Sequence, residues 1–308
     1  MSNNPTAQSP AERIIGRIAE IGTGFKIARL VPSRQRRTIG AWCFLDHAGP
    51  VHYQAGGGMN VGPHPHIGLQ TFTWMIEGEV RHLDSLGSDQ LISPHQVNLM
   101  TSGHGISHAE ISASKEAGTL HAAQLWIALP DAHRHTTPKF QHYPELPVVE
   151  QHDFSATVLV GSYFGETSPV DVYTPLLGVD LVLTQSATIT LPFDPQFEHG
   201  ITLLEGTAVV AGEALVTGEL LYFSTGHDAV TIQAEAGTRV LLIGGEPFAE
   251  DIVVWWNFVA RTQAEMEEAR ADWLAGSSRF GTVAQPDIAG ARLVAPSLEG
   301  IHFKGAQS

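Results

Sequence analysis

Two pairs of side chains, each with a spacing of two, constrain this chain more than any other feature: His64-Pro65-His66 and His108-Ala109-Glu110. In an extended strand, residues i and i+2 lie on the same face. Each pair can therefore aim at one point, and two strands facing each other would gather three imidazoles and one carboxylate. That donor set suits a borderline divalent metal such as Fe(II), manganese, nickel, copper or zinc. Four protein ligands on a six-coordinate ion leave two positions open, as redox or Lewis-acid chemistry requires.

Composition agrees with a strand-built chain. Charged residues make up only 16% of 308, whereas 31 Gly and 18 Pro supply abundant turn chemistry, so short strands are expected rather than a helical bundle. The net charge of −15 repels a phosphate backbone and argues against direct nucleic-acid binding. Cys43 is the single cysteine, so no intrachain disulfide can form and a reducing, cytoplasmic setting is expected. Met1 to Arg13 is polar and reads as a disordered tail without a signal peptide, and no stretch has the apolar length of a membrane span.

Strand-like residue types occupy Thr71–Ile76, Val97–Met100 and Ala122–Leu129. Turn signals such as Gly56-Gly57-Gly58, Glu77-Gly78 and Leu86-Gly87-Ser88 punctuate them. A Pro- and His-rich connector, Pro130 to Pro147, divides a first half (14–150) from a second (151–308). Its His133-Arg134-His135 reads as solvated loop, and Trp255, Trp256 and Phe258 read as packing between domains. A helix is expected after Thr262-Gln263-Ala264-Glu265, a capping box, with Gly276 as its stop.

The halves read as two copies of one unit. Met75-Ile76-Glu77-Gly78 resembles Leu203-Leu204-Glu205-Gly206, and Leu91–Gly103 resembles Leu215–Gly226 at both ends. Counting from those glycines without gaps sets Pro192 and Asp194 against His64 and His66, and Thr231 and Gln233 against His108 and Glu110. A duplicated fold with one live site follows.

The runs His64–Thr71, Glu77-Gly78-Glu79, His82–Gly87 and Gly103–Glu110 resemble the pirin family of the cupin superfamily. Arg36–Gly40, Leu125–Pro130, Ile243–Pro247 and the final helix extend the resemblance over nearly the whole chain. It implies an all-β bicupin: two antiparallel jelly-roll β-barrel domains, 14–150 with the metal site and 151–308 without ligands, plus a short C-terminal helix. It implies His64, His66, His108 and Glu110 as ligands of one divalent metal, Fe(II) foremost, with Ni, Mn, Cu, Co or Zn as other occupants. Where pirins often carry Glu four residues after the second histidine, this chain has Gln70; many other cupins ligate from that position, whereas pirins use the later carboxylate.

The activity implied is that of a quercetin 2,3-dioxygenase, an oxidoreductase that opens a flavonol ring with O₂ as co-substrate. Glu110 is the first candidate for the base and His104 the second. The alternative is an iron-binding, redox-sensitive regulator that acts through protein partners without turnover.

Overall fold

The computed structural model describes residues 11–21, 25–285 and 290–303. Of the expected tail, residues 1–10 lie outside the described residues, while Glu12 and Arg13 begin a strand. Among the described residues the chain forms 26 strands and one α-helix, an all-β architecture as expected. No helix among the described residues is long and apolar enough to cross a membrane.

The chain divides into two compact units. The first, built mainly from 147–248, pairs a seven-stranded with a four-stranded antiparallel sheet. The larger runs Glu12–Ile15, Glu219–Phe223, Glu198–Glu205, Arg239–Gly245, Leu176–Leu183, Phe154–Val160, Val148–Glu150; the smaller runs Ala187–Pro192, Ala229–Ala234, Thr207–Val210, Glu213–Val216. Alternate residues point inward, so Leu181, Leu191, Leu203, Val210, Ile232 and Val240 form an apolar core.

The second unit, mainly 43–146 and 249–308, repeats the pattern. Its larger sheet runs Lys139–Tyr143, Val97–Thr101, Leu69–Glu77, Gly118–Ala128, Trp42–Tyr53, Phe25–Val31, Arg17–Ile21; its smaller runs Asn60–His66, Ile106–Ser112, Val80–Asp84, Asp89–Ile92. Matched strand by strand, the two orders coincide, and the duplication read from the sequence is real in topology. The matching glycines do one job in both copies. Gly78 and Gly206 have φ of 84° and 81°, and a Cβ on Gly78 would lie 2.3 Å from the Thr119 carbonyl oxygen.

Three sequence readings need correction. Lys139–Tyr143, inside the expected connector, is a strand, and it takes the sheet position that Glu12–Ile15 takes in the other unit. The gapless count between copies also slips. His64 pairs with His108, but Thr231 pairs with Thr190 and Pro192 with Ala229, two positions away from the count. No histidine stands at either register. Trp255, Trp256 and Phe258 do pack across the expected 150/151 division, against Ile67, but that contact lies inside the second unit together with Met266, Trp273 and Phe280.

The helix spans Gln263–Ala275 with Thr262 capping the Glu265 amide and Gly276 ending it at φ 70°, as the capping residues predict. Glu265 reaches back one residue further than a capping box, to the Arg261 amide at 2.8 Å. The buried Met266, Ala269 and Trp273 follow helical spacing and seal the cluster around Phe258.

Each unit closes its own apolar core, so metal removal is expected to leave the chain folded. A chelator-treated sample should keep the far-UV circular dichroism of a β protein; collapse to a disordered spectrum would contradict this.

Candidate metal centre

The site begins with an edge strand that ordinary sheet rules would discourage. Asn60–His66 carries Pro63 and Pro65, which lack the amide hydrogen a ladder needs. Edge position makes them tolerable, and their fixed φ suits an extended chain. The strand pairs antiparallel with Ile106–Ser112, placing His64 directly opposite His108 and His66 opposite Ile106. A bulge interrupts the register between His108 and Glu110. It leaves Gly62 and Pro63 together opposite Ala109, and the Gly62 carbonyl accepts a hydrogen bond from His64 Nδ1 at 2.8 Å.

Donor nitrogens of His64, His66 and His108 all lie within 4.8 Å of one another. His66 Nε2 stands 3.1 Å from His108 Nε2. All three side chains are buried. Burial pushes the His64 imidazole down to about 4, and holds those of His66 and His108 well below the ordinary value, with neighbouring histidines adding to it. Neutral imidazoles are the form that ligates.

Tautomers follow from the acceptors. A carbonyl only accepts, so His64 Nδ1 at Gly62 and His66 Nδ1 at the Asn257 carbonyl (2.9 Å) must each carry the proton. Both Nε2 lone pairs are then bare, and that of His66 faces His108 across 3.1 Å. A divalent cation fits such a donor set: neutral, buried, converging and already oriented.

Glu110 stands on the same strand beyond the bulge, opposite His82 of the Val80–Asp84 strand. It is not among the three side chains that converge within 4.8 Å. Its side chain is partly buried, and desolvation raises its carboxyl above the ordinary range. His104 is exposed; its Nδ1 bonds the Thr136 carbonyl at 3.2 Å. Gln70 is fully buried and donates to Thr101 Oγ1 at 3.0 Å. It lies on the face of its strand opposite Thr71, the residue paired with Trp126.

Sequence reasoning missed several residues that shape this site. Trp126 meets His66 edge-on, centroids 5.2 Å apart, and Phe140 stacks on His82 at 4.2 Å. Two residues from Trp126, on its face of the sheet, Gln124 accepts from Thr73 Oγ1, and Asn98 meets His142. The pairings Gln124–Thr73, Thr73–Asn98 and Asn98–His142 make one polar row across four strands. The alternation in Ala122–Ala128 was the available signal for Gln124 and Trp126.

The C-terminal stretch was invisible as site structure. Besides Asn257, it supplies the Phe280 carbonyl to Ser107 Oγ, the Leu293 amide to the Pro63 carbonyl, and Arg279 Nε to the His104 carbonyl. Gly68, at φ 69°, lets the chain approach so closely that a Cβ there would sit 2.2 Å from the Val259 carbonyl oxygen.

With that geometry in view, comparison with known proteins is informative. Residues 24–127 match the family model described as Pirin, and residues 178–281 the one described as Pirin C-terminal cupin domain. A Pseudomonas aeruginosa protein named "Putative quercetin 2,3-dioxygenase" is 50% identical over 93% of this chain and 90% of its own. A Caulobacter vibrioides protein named "Pirin-like protein" is 38% identical over 83% and 90% respectively. A crystal structure titled as quercetin 2,3-dioxygenase from Acinetobacter baumannii superposes with TM-score 0.93 at 55% identity, covering 97% of this chain and 98% of that one.

One divalent ion per chain is expected from elemental analysis, and none after His64→Ala with His108→Ala. Two ions in the wild-type chain, or full occupancy in the double variant, would show that the histidine cluster is not the site.

Proposed function

Because the chain belongs to the pirin family of bicupins, we propose that it is a metal-dependent dioxygenase that cleaves the ring of a flavonol such as quercetin. One observation carries the reading: three buried, neutral imidazoles converge, and two residues from His108 stands a partly buried carboxylate, Glu110, whose proton affinity is raised by desolvation. The similarity to proteins named for quercetin dioxygenation supports the substrate class. His64, His66 and His108 would hold the ion, with Glu110 as the fourth ligand. The ion, Fe(II) foremost, would supply Lewis-acid and redox chemistry at that point.

The remaining work falls to the chain. Glu110 accepts the proton of the flavonol hydroxyl, and its raised carboxyl brings its basicity closer to neutral pH than an exposed glutamate. Trp126 and Phe140 offer flat apolar surface for aromatic rings. The row from Gln124 to His142 offers amide, hydroxyl and imidazole partners for polar substituents. His104, tied to Thr136 and exposed, is the weaker candidate for the base. A lone thiol, Cys43, buried and free, is compatible with a reducing, cytoplasmic setting, which we propose for the protein.

Glu110→Gln separates base from ligand. An amide oxygen still coordinates weakly but accepts no proton at neutral pH, so turnover of quercetin should fall about 10²–10⁴-fold while the ion is largely retained. Oxygen uptake and metal content are measured on the same Fe(II)-loaded preparation. Loaded wild-type protein that consumes no O₂ with any flavonol would overturn the enzyme reading in favour of a regulator. A loaded Glu110→Gln variant with normal turnover would move the role to His104.

A further inference from the structure

His64 and His66 rest their second ring nitrogens on backbone carbonyls; His108 does not. Its Nδ1 lies 3.3 Å from Nδ1 of His82, and His82 Nε2 lies 3.0 Å from Asp84 Oδ2. Asp84 is fully buried, and its other oxygen accepts from the amides of Leu86 and Ser88 at 2.9 and 3.0 Å. The turn that follows the strand thus fixes the carboxylate. Ladder register builds the rest, since His108 pairs with Asp84 and Glu110 with His82 on the adjacent strand. Phe140, stacked at 4.2 Å and 14°, holds the His82 ring in plane.

We propose that Asp84 and His82 are positioning residues that lock the His108 tautomer and so set how tightly the centre holds its ion. The logic is donor against acceptor. A carboxylate only accepts, so His82 Nε2 carries a proton and, in the neutral ring, His82 Nδ1 is bare. His108 Nδ1 must then be the donor, and its Nε2 lone pair is left facing His66 Nε2, where the ion would sit. A carboxylate behind a chain of two imidazoles also strengthens His108 as a donor to a metal.

The other unit supplies an independent observation. The strand that takes the place of Val80–Asp84 in the other unit, Thr207–Val210, carries neither a histidine nor a carboxylate. The copy without ligands lacks the relay as well, as expected if the relay serves the ion rather than the barrel. The inference rests on the metal-centre reading above.

The test is zinc(II) affinity, by chelator competition, on the full chain with and without substitutions. His82→Phe keeps the stacking on Phe140 but leaves His108 without an acceptor; zinc should bind about 10–100-fold more weakly, while the melting temperature of the metal-free protein stays near wild type. His82→Gln, whose amide oxygen can accept from His108, should recover most of the loss. If His82→Phe fails to fold, Asp84→Asn serves instead: it keeps the shape but offers a neutral acceptor, and it too should weaken zinc. Wild-type affinity in His82→Phe or Asp84→Asn, or a His82→Gln variant no tighter than His82→Phe, would overturn the relay alone. A wild-type chain that binds no zinc or other divalent ion would overturn the metal centre as well.

Discussion

Burying three imidazoles at one point is the constraint on which the rest of the second unit depends. Each ring has two nitrogens, and a buried polar atom without a partner costs about 1–3 kcal/mol. A ligating histidine can leave only one nitrogen for the ion, so the fold must bring a fixed partner to each of the others. Gly62 serves His64, Asn257 serves His66, and His82 serves His108. These partners come from a bulge, from a hairpin 191 residues downstream and from a neighbouring strand. Much of the architecture follows from placing them.

The C-terminal stretch is therefore more than a cover. The short strands Val253–Trp255 and Phe258–Ala260 pair with each other, and the turn between them presents the Asn257 carbonyl. Phe258 bridges to Ile67, directly after His66, and is anchored by Trp273 and Phe280. Burying a side chain such as Phe258 is worth roughly 1.5–3 kcal/mol. The same apolar contact that stabilises this cluster also holds the Asn257 carbonyl that fixes the His66 tautomer. The edge strand with its two prolines gains cover from the same segment through Leu293.

The two copies diverge in what fills the barrel. In the first unit, inward positions on the strands matching Asn60–His66 and Ile106–Ser112 hold Ile189, Leu191, Val230 and Ile232. Apolar packing there needs no acceptors, no bulge at Gly62 and no returning hairpin. His199 remains fully buried in that unit, stacked on Phe193 at 3.9 Å and pushed down to about 4 by burial. One topology thus supports a polar, ligand-bearing interior or a dry one, according to a handful of inward residues.

The sequence by itself determined the all-β class, most of the strands, the duplication, the final helix and the convergence of His64, His66 and His108. All of these are written in short-range signals: a period of two, a glycine that only a left-handed turn requires, a capping threonine. Tertiary structure alone decided that Glu12–Ile15 and Lys139–Tyr143 take matching places in different sheets, that Trp255 and Phe258 close the metal unit, and that Asn257 holds His66. It also shifted Pro192 two residues from its counted partner. The reason is the range of the interaction. A backbone carbonyl carries no side-chain signature, and a hydrogen bond across 191 residues leaves no periodicity in the chain that makes it.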